Sequence, residues 1–410
     1  MYILLNMKSN NKNPLRISHA LAVHGKEEEE RVLNVIKEHR TIMGREVAEF
    51  EERVAKLFGK KYGIMVNSGS SANLLAIELM KLPPGSEIIT PILTFSTTIA
   101  PLIQKGLIPV FVDVVEGKYF INVDKVENAI SKRTKAILIP ILMGNVPDMD
   151  RLRDIAKKHN LIFIEDSCDA IVGFYKGKPT GTYSDITTTS FYGSHVITAG
   201  GNGGMLMVNN EKLRDRAKVL RGWGRTSAIF AESEKIEVRF GRKLDGIPYD
   251  GKFIFDEVAY NLLPMEIGAA FGNAQLDKLK GFVKLRERNY KILFDFFSQY
   301  SDHFIVPEMN ENALAQWQVF PLTIKKEAPF SRLEFVTFLE KENIQTRPIF
   351  TGNILKQPGF KNIPHRDSQK SYPVADYIME QGVIIGVHQG LTLKHLDRLK
   401  KVVRTFLHIS

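Results

Sequence analysis

The chain has 410 residues and one cysteine, Cys168. A single thiol closes no internal disulfide, builds no four-cysteine zinc site and ligates no iron–sulfur cluster. No metal site is read from the sequence, and a cytoplasmic home is the default expectation. Long apolar runs are also missing. No stretch of about eighteen apolar residues occurs, so no membrane span is expected. The opening Met-Tyr-Ile-Leu-Leu-Asn-Met-Lys is too short in its apolar part for a secretory signal, and Met7 is an alternative start. A basic stripe is lacking too. The formal net charge is +10, but lysine and arginine are scattered along the chain. That disfavours a nucleic-acid partner and leaves attraction of small anions open. There is no internal repeat and no low-complexity segment.

What is present is apolar material in quantity, 44% of the residues. That suffices for a large core and for more than one domain. Residues 1–25 read as a polar, irregular arm. From Glu46, the residues Val47, Phe50, Val54 and Leu57 recur at helical spacing, and Gly59 follows as a stop. Short apolar runs at Glu87–Pro91, Ile108–Val114, Ala136–Ile141 and Leu161–Ile164 read as strands, with helical stretches such as Asp150–Lys158 between them. This alternation predicts an α/β fold with a mostly parallel sheet covered on both faces. Around Lys280 the pattern changes to long charged helices, then new strands near Trp317–Ile324. The expected division is a large domain over 26–279 and a smaller α/β domain over 280–410.

Several short motifs carry chemistry. Val-Asn-Ser-Gly-Ser-Ser-Ala-Asn (66–73) leads from an apolar segment into the helical stretch Leu74–Leu82. Small residues at a helix start leave N–H groups free for an anion, although a plain helix cap has the same appearance. Ser190 is a second candidate anion donor. In Ile-Glu-Asp-Ser-Cys-Asp-Ala (164–170), Asp166 ends an apolar strand. Ligands of α/β sheets gather outside the carboxyl ends of strands. A carboxylate there caps a helix, holds a metal or pairs with a cationic ring nitrogen. Ser-Phe-Tyr-Gly-Ser-His (190–195) is followed by Ala-Gly-Gly-Asn-Gly-Gly (199–204). No Gly-Lys-Ser/Thr follows, so this is not a Walker loop, and its spacing is wrong for a dinucleotide fingerprint. A lone histidine such as His195 is by itself an ordinary core or surface group.

Taken in order, Asn-Ser-Gly-Ser-Ser, Leu-Thr-Phe (93–95), Glu-Asp-Ser-Cys-Asp-Ala, Ser-Phe-Tyr-Gly-Ser-His and Tyr-Asn (260–261) resemble the DegT/StrS family of sugar aminotransferases and dehydratases. The resemblance runs from about residue 25 to 405. It implies the aspartate-aminotransferase fold (fold type I of the enzymes dependent on pyridoxal 5′-phosphate, PLP), a homodimer, and PLP or its amine form, pyridoxamine 5′-phosphate (PMP), as cofactor. Carried over by motif, Ser70, Ser71 and Ser190 hold the phosphate and Phe95 stacks on the cofactor ring. Asp166 pairs with the pyridine nitrogen, and Asn261 reaches the phosphate of the neighbouring subunit. Core packing for Phe95 and a turn for Asn261 are the bland alternatives.

In most of that family the position of His195 is a lysine that tethers the cofactor. Histidine forms no such stable bond, and its ordinary pKa of about 6.5 suits proton removal. The histidine, together with Trp-Gly-Arg (223–225) and Thr-Arg-Pro-Ile-Phe-Thr-Gly-Asn (346–353), resembles the branch of nucleotide-linked 4-keto-6-deoxyhexose 3-dehydratases. Asp169 stands where the aminotransferases usually carry glutamine or histidine, and it joins the expected cofactor contacts. Iron–sulfur members of the branch carry cysteines after Trp-Gly-Arg, and Thr226–Glu234 has none.

The implied reaction takes the amine from glutamate and removes the C3 hydroxyl of a nucleotide-linked sugar, with His195 as base. Arg347 and Asn353 are candidate contacts to glutamate or sugar. A surface ion pair for Arg347 is the alternative. Trp223 and Arg225 are candidates for the sugar or for the dimer interface. An aminotransferase without a lysine tether and a non-catalytic nucleotide-sugar binder are the competing functions. Two departures fall beside the cofactor. The family's Gly-Glu-Gly-Gly is one residue longer here, and Val196 replaces a frequent second histidine.

Overall fold

The structure, a computed structural model, describes residues 15–230 and 234–408. The first fourteen residues, where the opening segment and most of the arm fall, lie outside it.

Eight strands make the main sheet. The first five in the chain are β1 (Tyr62–Val66), β2 (Glu87–Pro91), β3 (Ile108–Val112), β4 (Thr134–Pro140) and β5 (Ile162–Ser167). Across the sheet the order is β1, Gly204–Val208, Ile186–Ser190, β5, β4, β2, β3 and Arg366–Asp367. Strand Gly204–Val208 pairs antiparallel with both of its neighbours, and the remaining pairs are parallel. This is the mostly parallel sheet that the alternating pattern predicts.

Helix α1 (Lys26–Lys37), helix α2 (Arg45–Leu57) and helix α3 (Gly69–Leu79) precede β2. Helix α2 buries Val47, Phe50 and Val54, the stripe read from its spacing. Helix α3 starts five residues before the apolar run that announces it and ends at Leu79, because Lys81 turns to φ 50° and Pro83 follows.

Strand β5 continues three residues past its apolar run. Its polar end is met at Asp166 and at one oxygen of Glu165, while Glu165 Oε2 has no partner among the described residues and burial raises that carboxyl above its ordinary pKa. Ser167 Oγ and Thr180 Oγ1 both donate to Glu165 Oε1, at 2.6 and 2.7 Å. Asp166 has donors of its own, described below.

Beyond strand Gly204–Val208, after a helix at Glu211–Arg221 and several short elements, comes a 32-residue helix, Glu266–Phe297, and Lys280 lies inside it. A four-stranded antiparallel sheet follows, ordered Phe304–Ile305, Val319–Ile324, Gly382–Gly386 and Thr346–Arg347. It packs a separate core around Phe297, Phe320, Phe335 and Leu399. Ile17, fully buried, joins that core and bridges to Ile344, so the described part of the arm is anchored. The same C-terminal segment returns to the main sheet, where Arg366–Asp367 forms an edge strand. Among the described residues no helix is long and apolar enough to cross a membrane, and no group of three or more His, Cys, Asp or Glu could hold a metal ion.

Candidate active site

The carboxyl ends of β4, β5 and Ile186–Ser190 open into a cavity of about 680 Å³. This is where a parallel sheet collects ligands. Its wall combines the start of α3, the loop after Ser190, and the Gln318–Val319 and Arg347–Thr351 segments of the second sheet.

One end is suited to an anion. Helix α3 begins here, capped by Ser68, whose Oγ accepts from Ser71 N at 3.1 Å. Gly69 is needed for close approach, since a Cβ there would stand 2.5 Å from Ser190 Cβ and 2.9 Å from Cys168 Sγ. The helix start is thereby pressed against the end of strand Ile186–Ser190, with Ser70 and Ser190 both on the cavity wall. First-turn N–H groups, the helix dipole and two hydroxyls at this end could hold an anion such as a phosphate.

At the middle lies Asp166, 4% exposed. Its Oδ2 accepts from Asn73 Nδ2 and Thr98 Oγ1, both at 2.8 Å, and its Oδ1 from Cys168 N at 3.2 Å. Thr188 Oγ1 donates to Asn73 Oδ1 at 2.6 Å, which fixes the amide so that its nitrogen faces the carboxylate. A carboxylate fixed by three donors is built to stay in place opposite a cationic group. Phe95, 51% exposed on the cavity wall, offers an aromatic face without a partner of its own size except Phe350, edge-on at 6.2 Å.

His195 completes the wall. Its Nδ1 lies 3.2 Å from the Ser190 carbonyl oxygen. A carbonyl only accepts, so Nδ1 carries the proton and Nε2 keeps its lone pair. Burial lowers the pKa of His195 to about 4; the Ser190 contact opposes this and the Arg286 charge adds to it. Nε2 stands 4.0 Å from Asp169 Oδ1. Asp169 is raised to about 7, first by burial; a hydrogen bond from Met143 N opposes the shift and the Asp166 charge adds to it. Met143 holds a left-handed φ of 56° to present that N–H, 3.1 Å from Oδ2. The imidazole is therefore a neutral base facing the cavity. No lysine lines the wall among the described residues.

The residues singled out from the sequence divide into two groups. Ser70, Phe95, Asp166, Asp169, Ser190, His195 and Arg347 line the cavity. Ser71, Asn261, Trp223, Arg225 and Asn353 do not. Ser71 Oγ accepts from Ser68 Oγ at 3.0 Å. Asn353 is buried and spends its amide on Asp376 Oδ1 at 2.7 Å. Asn261 is exposed, in a bridge to Gly222. Arg225 lies over Trp223 at 4.5 Å, against Phe253 and Phe255.

Sequence reasoning missed Asn73, Thr98, Tyr192, Phe350 and His19, all on the wall. Tyr192 and Phe350 lie inside motifs already noted, and for Tyr192 an aromatic beside glycine in a strand-end loop was a usable signal. His19 gave none.

Fold and site together define a type I PLP-enzyme architecture of the aspartate-aminotransferase kind. The chain belongs to the DegT/DnrJ/EryC1/StrS aminotransferase family, whose pattern matches residues 23–404. It is 36% identical over 372 residues to the lipopolysaccharide biosynthesis protein RfbH of Salmonella typhimurium, covering 88% of this chain and 85% of that protein. It is 35% identical over 407 residues to dTDP-4-dehydro-2,6-dideoxy-D-glucose 3-dehydratase of Saccharopolyspora spinosa, covering 96% and 87%. The crystal structure of a GDP-4-keto-6-deoxymannose-3-dehydratase with a trapped PLP-glutamate geminal diamine superposes with a TM-score of 0.85 at 29% identity, covering 94% of this chain and 99% of that one.

Proposed function

We propose that this chain is a 3-dehydratase of a nucleotide-linked 4-keto-6-deoxyhexose, working with PLP and PMP and taking its amine from glutamate. The sugar loses its C3 oxygen. The products are the 3-deoxy-4-keto sugar, 2-oxoglutarate and ammonia. The observation that carries the reading is His195, whose bare Nε2 faces a cavity with a phosphate cradle and a fixed carboxylate but no lysine on its wall.

The residues fit the cofactor. The α3 start with Ser70 and Ser190 takes the phosphate, Phe95 the ring face, and Asp166 the ring nitrogen. Bound there, the cofactor supplies an amine for the sugar ketone and a sink for electrons. Asp166 keeps the ring nitrogen protonated. His195 accepts a proton at Nε2 and, once protonated, returns it to the departing C3 hydroxyl. Arg347, exposed at the mouth, has Thr346 O as its one side-chain hydrogen-bond partner among the described residues, at 2.7 Å, and is free to meet a carboxylate or diphosphate. A homodimer belongs to the proposal, with Asn261 of one copy reaching the phosphate of the other. Its exposure and its absence from the lining of its own cavity support that role. Trp223, Arg225 and Asn353 stay with the interface or with structural support.

The test is incubation with PLP, glutamate and a panel of GDP-, CDP- and dTDP-linked 4-keto-6-deoxy sugars, followed by mass spectrometry. Loss of one oxygen with free ammonia is expected. Retained nitrogen in the sugar would make the chain an aminotransferase instead. Ligand binding without any glutamate-dependent change in the cofactor spectrum would make it a non-catalytic binder.

A further inference from the structure

Behind the cavity, the long helix carries a cation without a counter-ion. Arg286 is 4% exposed, and its guanidinium meets neutral acceptors. Nη1 donates to Gln389 Oε1 at 2.7 Å, and Nη2 donates to the Gln318 carbonyl. Nε has no partner. Its neighbour in sequence, Glu287, accepts from Gln316 instead. Among the described residues no carboxylate offsets the burial of this guanidinium, whose pKa falls to about 10. An unpaired buried charge is costly and calls for a reason.

Its contacts supply one. Gln389, held through its oxygen by Arg286, donates from Nε2 to the Val196 carbonyl at 3.1 Å. Val196 is the residue after His195. Gln318, held through its carbonyl, lies on the cavity wall. One guanidinium thus ties the second sheet to the loop that bears the base. Its positive field also opposes protonation of His195, whereas Asp166, from the end of β5, favours it. Asp169 stands 4.0 Å from Nε2 and the Tyr192 ring lies edge-on at 6.0 Å, and Cys168, His19 and Arg347 share the same cavity wall. On the far side His388, bonded to Ser18, lies in the same Arg286 field.

We propose that Arg286 is a positioning residue for His195, acting mechanically through Gln389 and Val196 and electrostatically through its uncompensated charge. The proposal rests on His195 being the working base of the reaction above. Its electrostatic half is read without that reaction.

The experiment follows the His195 ring signal by NMR across pH in the full-length protein, with and without PLP, assigned by its loss in His195→Asn. Arg286→Met removes the charge and should raise the His195 pKa by about one pH unit, the size of a unit charge acting through an effective dielectric near 20. Arg286→Lys should hold the parent value. Gln389→Glu gives the guanidinium a counter-ion without removing it, and should also raise the pKa, so the test survives if Arg286→Met fails to fold. Gln389→Met keeps the charge and cuts the link to Val196. It should leave the pKa unchanged and lower kcat about tenfold at constant KM for glutamate. An unmoved pKa in Arg286→Met and Gln389→Glu overturns the electrostatic half. Parent kcat in Gln389→Met overturns the mechanical half. Absence of deoxygenation in the parent would sink the functional reading while leaving the titration result standing.

Discussion

His195 Nε2 and Asp169 Oδ1 lie 4.0 Å apart, yet burial drives both groups towards their neutral forms, His195 to about 4 and Asp169 to about 7. The pair is therefore not an ion pair. Its two members act on stability with opposite signs. As pH falls from 6.5 to about 4, the unfolded histidine takes a proton that the native one refuses, so acid disfavours the fold. As pH falls from about 7 to 3.8, the native Asp169 takes its proton first, so acid favours the fold. In the parent the two effects largely cancel. Removing one exposes the other. Relative to the parent, cofactor-free Asp169→Asn should gain stability as pH rises from 4 to 7, and His195→Asn should lose it. The span of about 2.5 pH units for His195 sets an upper bound on the order of 3 kcal/mol. Melting curves across that range check the slopes. Two variants with the same slope would rule the neutral pair out.

The same imidazole should govern turnover without governing cofactor capture. His195→Asn removes the lone pair at Nε2 but touches neither the α3 cradle nor Asp166. Loss of a general base costs ~10²–10⁴-fold in rate. Deoxygenation should fall at least that far, while PLP binding followed by absorbance changes little. His195→Lys places a primary amine on the wall and should yield a cofactor link that borohydride fixes. A link fixed by borohydride in the unmodified protein would mean that another lysine does the tethering.

Asp166 owes its orientation to a side chain from α3. Asn73 is 3% exposed, bonded to Asp166 on one side and Thr188 on the other. Asn73→Ala leaves the Thr188 hydroxyl and one carboxylate oxygen short of partners. It should cost about 1–3 kcal/mol in denaturant unfolding. PLP affinity should fall as well, since the carboxylate is freed to turn. Thr188→Val keeps the 2.8 Å contact available but lets the amide flip, and should show a smaller loss in both measurements. PLP affinity equal to the parent in Asn73→Ala would show that the relay does not hold the carboxylate for the cofactor.

Much of this site was legible in the sequence. The strand ends, the Ser-Gly-Ser-Ser helix start, Asp166 and His195 all announce themselves through local pattern, because parallel sheets put ligands at the ends of apolar runs. What escaped is long-range. Asn73 read as one more small polar residue of a helix start, and only the sheet order brings it beneath Asp166. His19 reaches the wall because Ile17 is buried against Ile344, a contact between distant parts of the chain. Asn353 read as a ligand contact from its motif, but the structure turns it to cap the turn at Leu355, whose N lies 3.1 Å from Oδ1. Strand β5 outran its apolar run because hidden donors meet Asp166 and one oxygen of Glu165. Periodicity reports which face is apolar, and says nothing of which distant donor meets a buried polar atom.

Glu266 is the sharpest case of such a distant partner, and it predicts a large effect far from the cavity. Helix α2 starts at Gly44, which has no side chain to cap it. The cap comes from the start of the long helix instead. Glu266, 3% exposed, accepts from Gly44 N and Glu46 N at 2.7 Å and from Val47 N at 3.1 Å. Three N–H groups at a helix N-terminus, with the dipole behind them, are met by one carboxylate. Glu266→Ala buries those donors without acceptors and should cost about 3 kcal/mol or more, whereas Glu266→Gln keeps one oxygen and should cost about half as much. The consequence should reach the site. Phe50 of α2 packs edge-on against Phe191 at 4.7 Å, four residues before His195. A loosened α2 should therefore speed amide exchange at Glu46 and Val47 and also in the 191–196 loop. Unfolding free energy within about 0.5 kcal/mol of the parent in Glu266→Ala would mean that water replaces the carboxylate at the helix start, and that α2 is held by its apolar stripe alone.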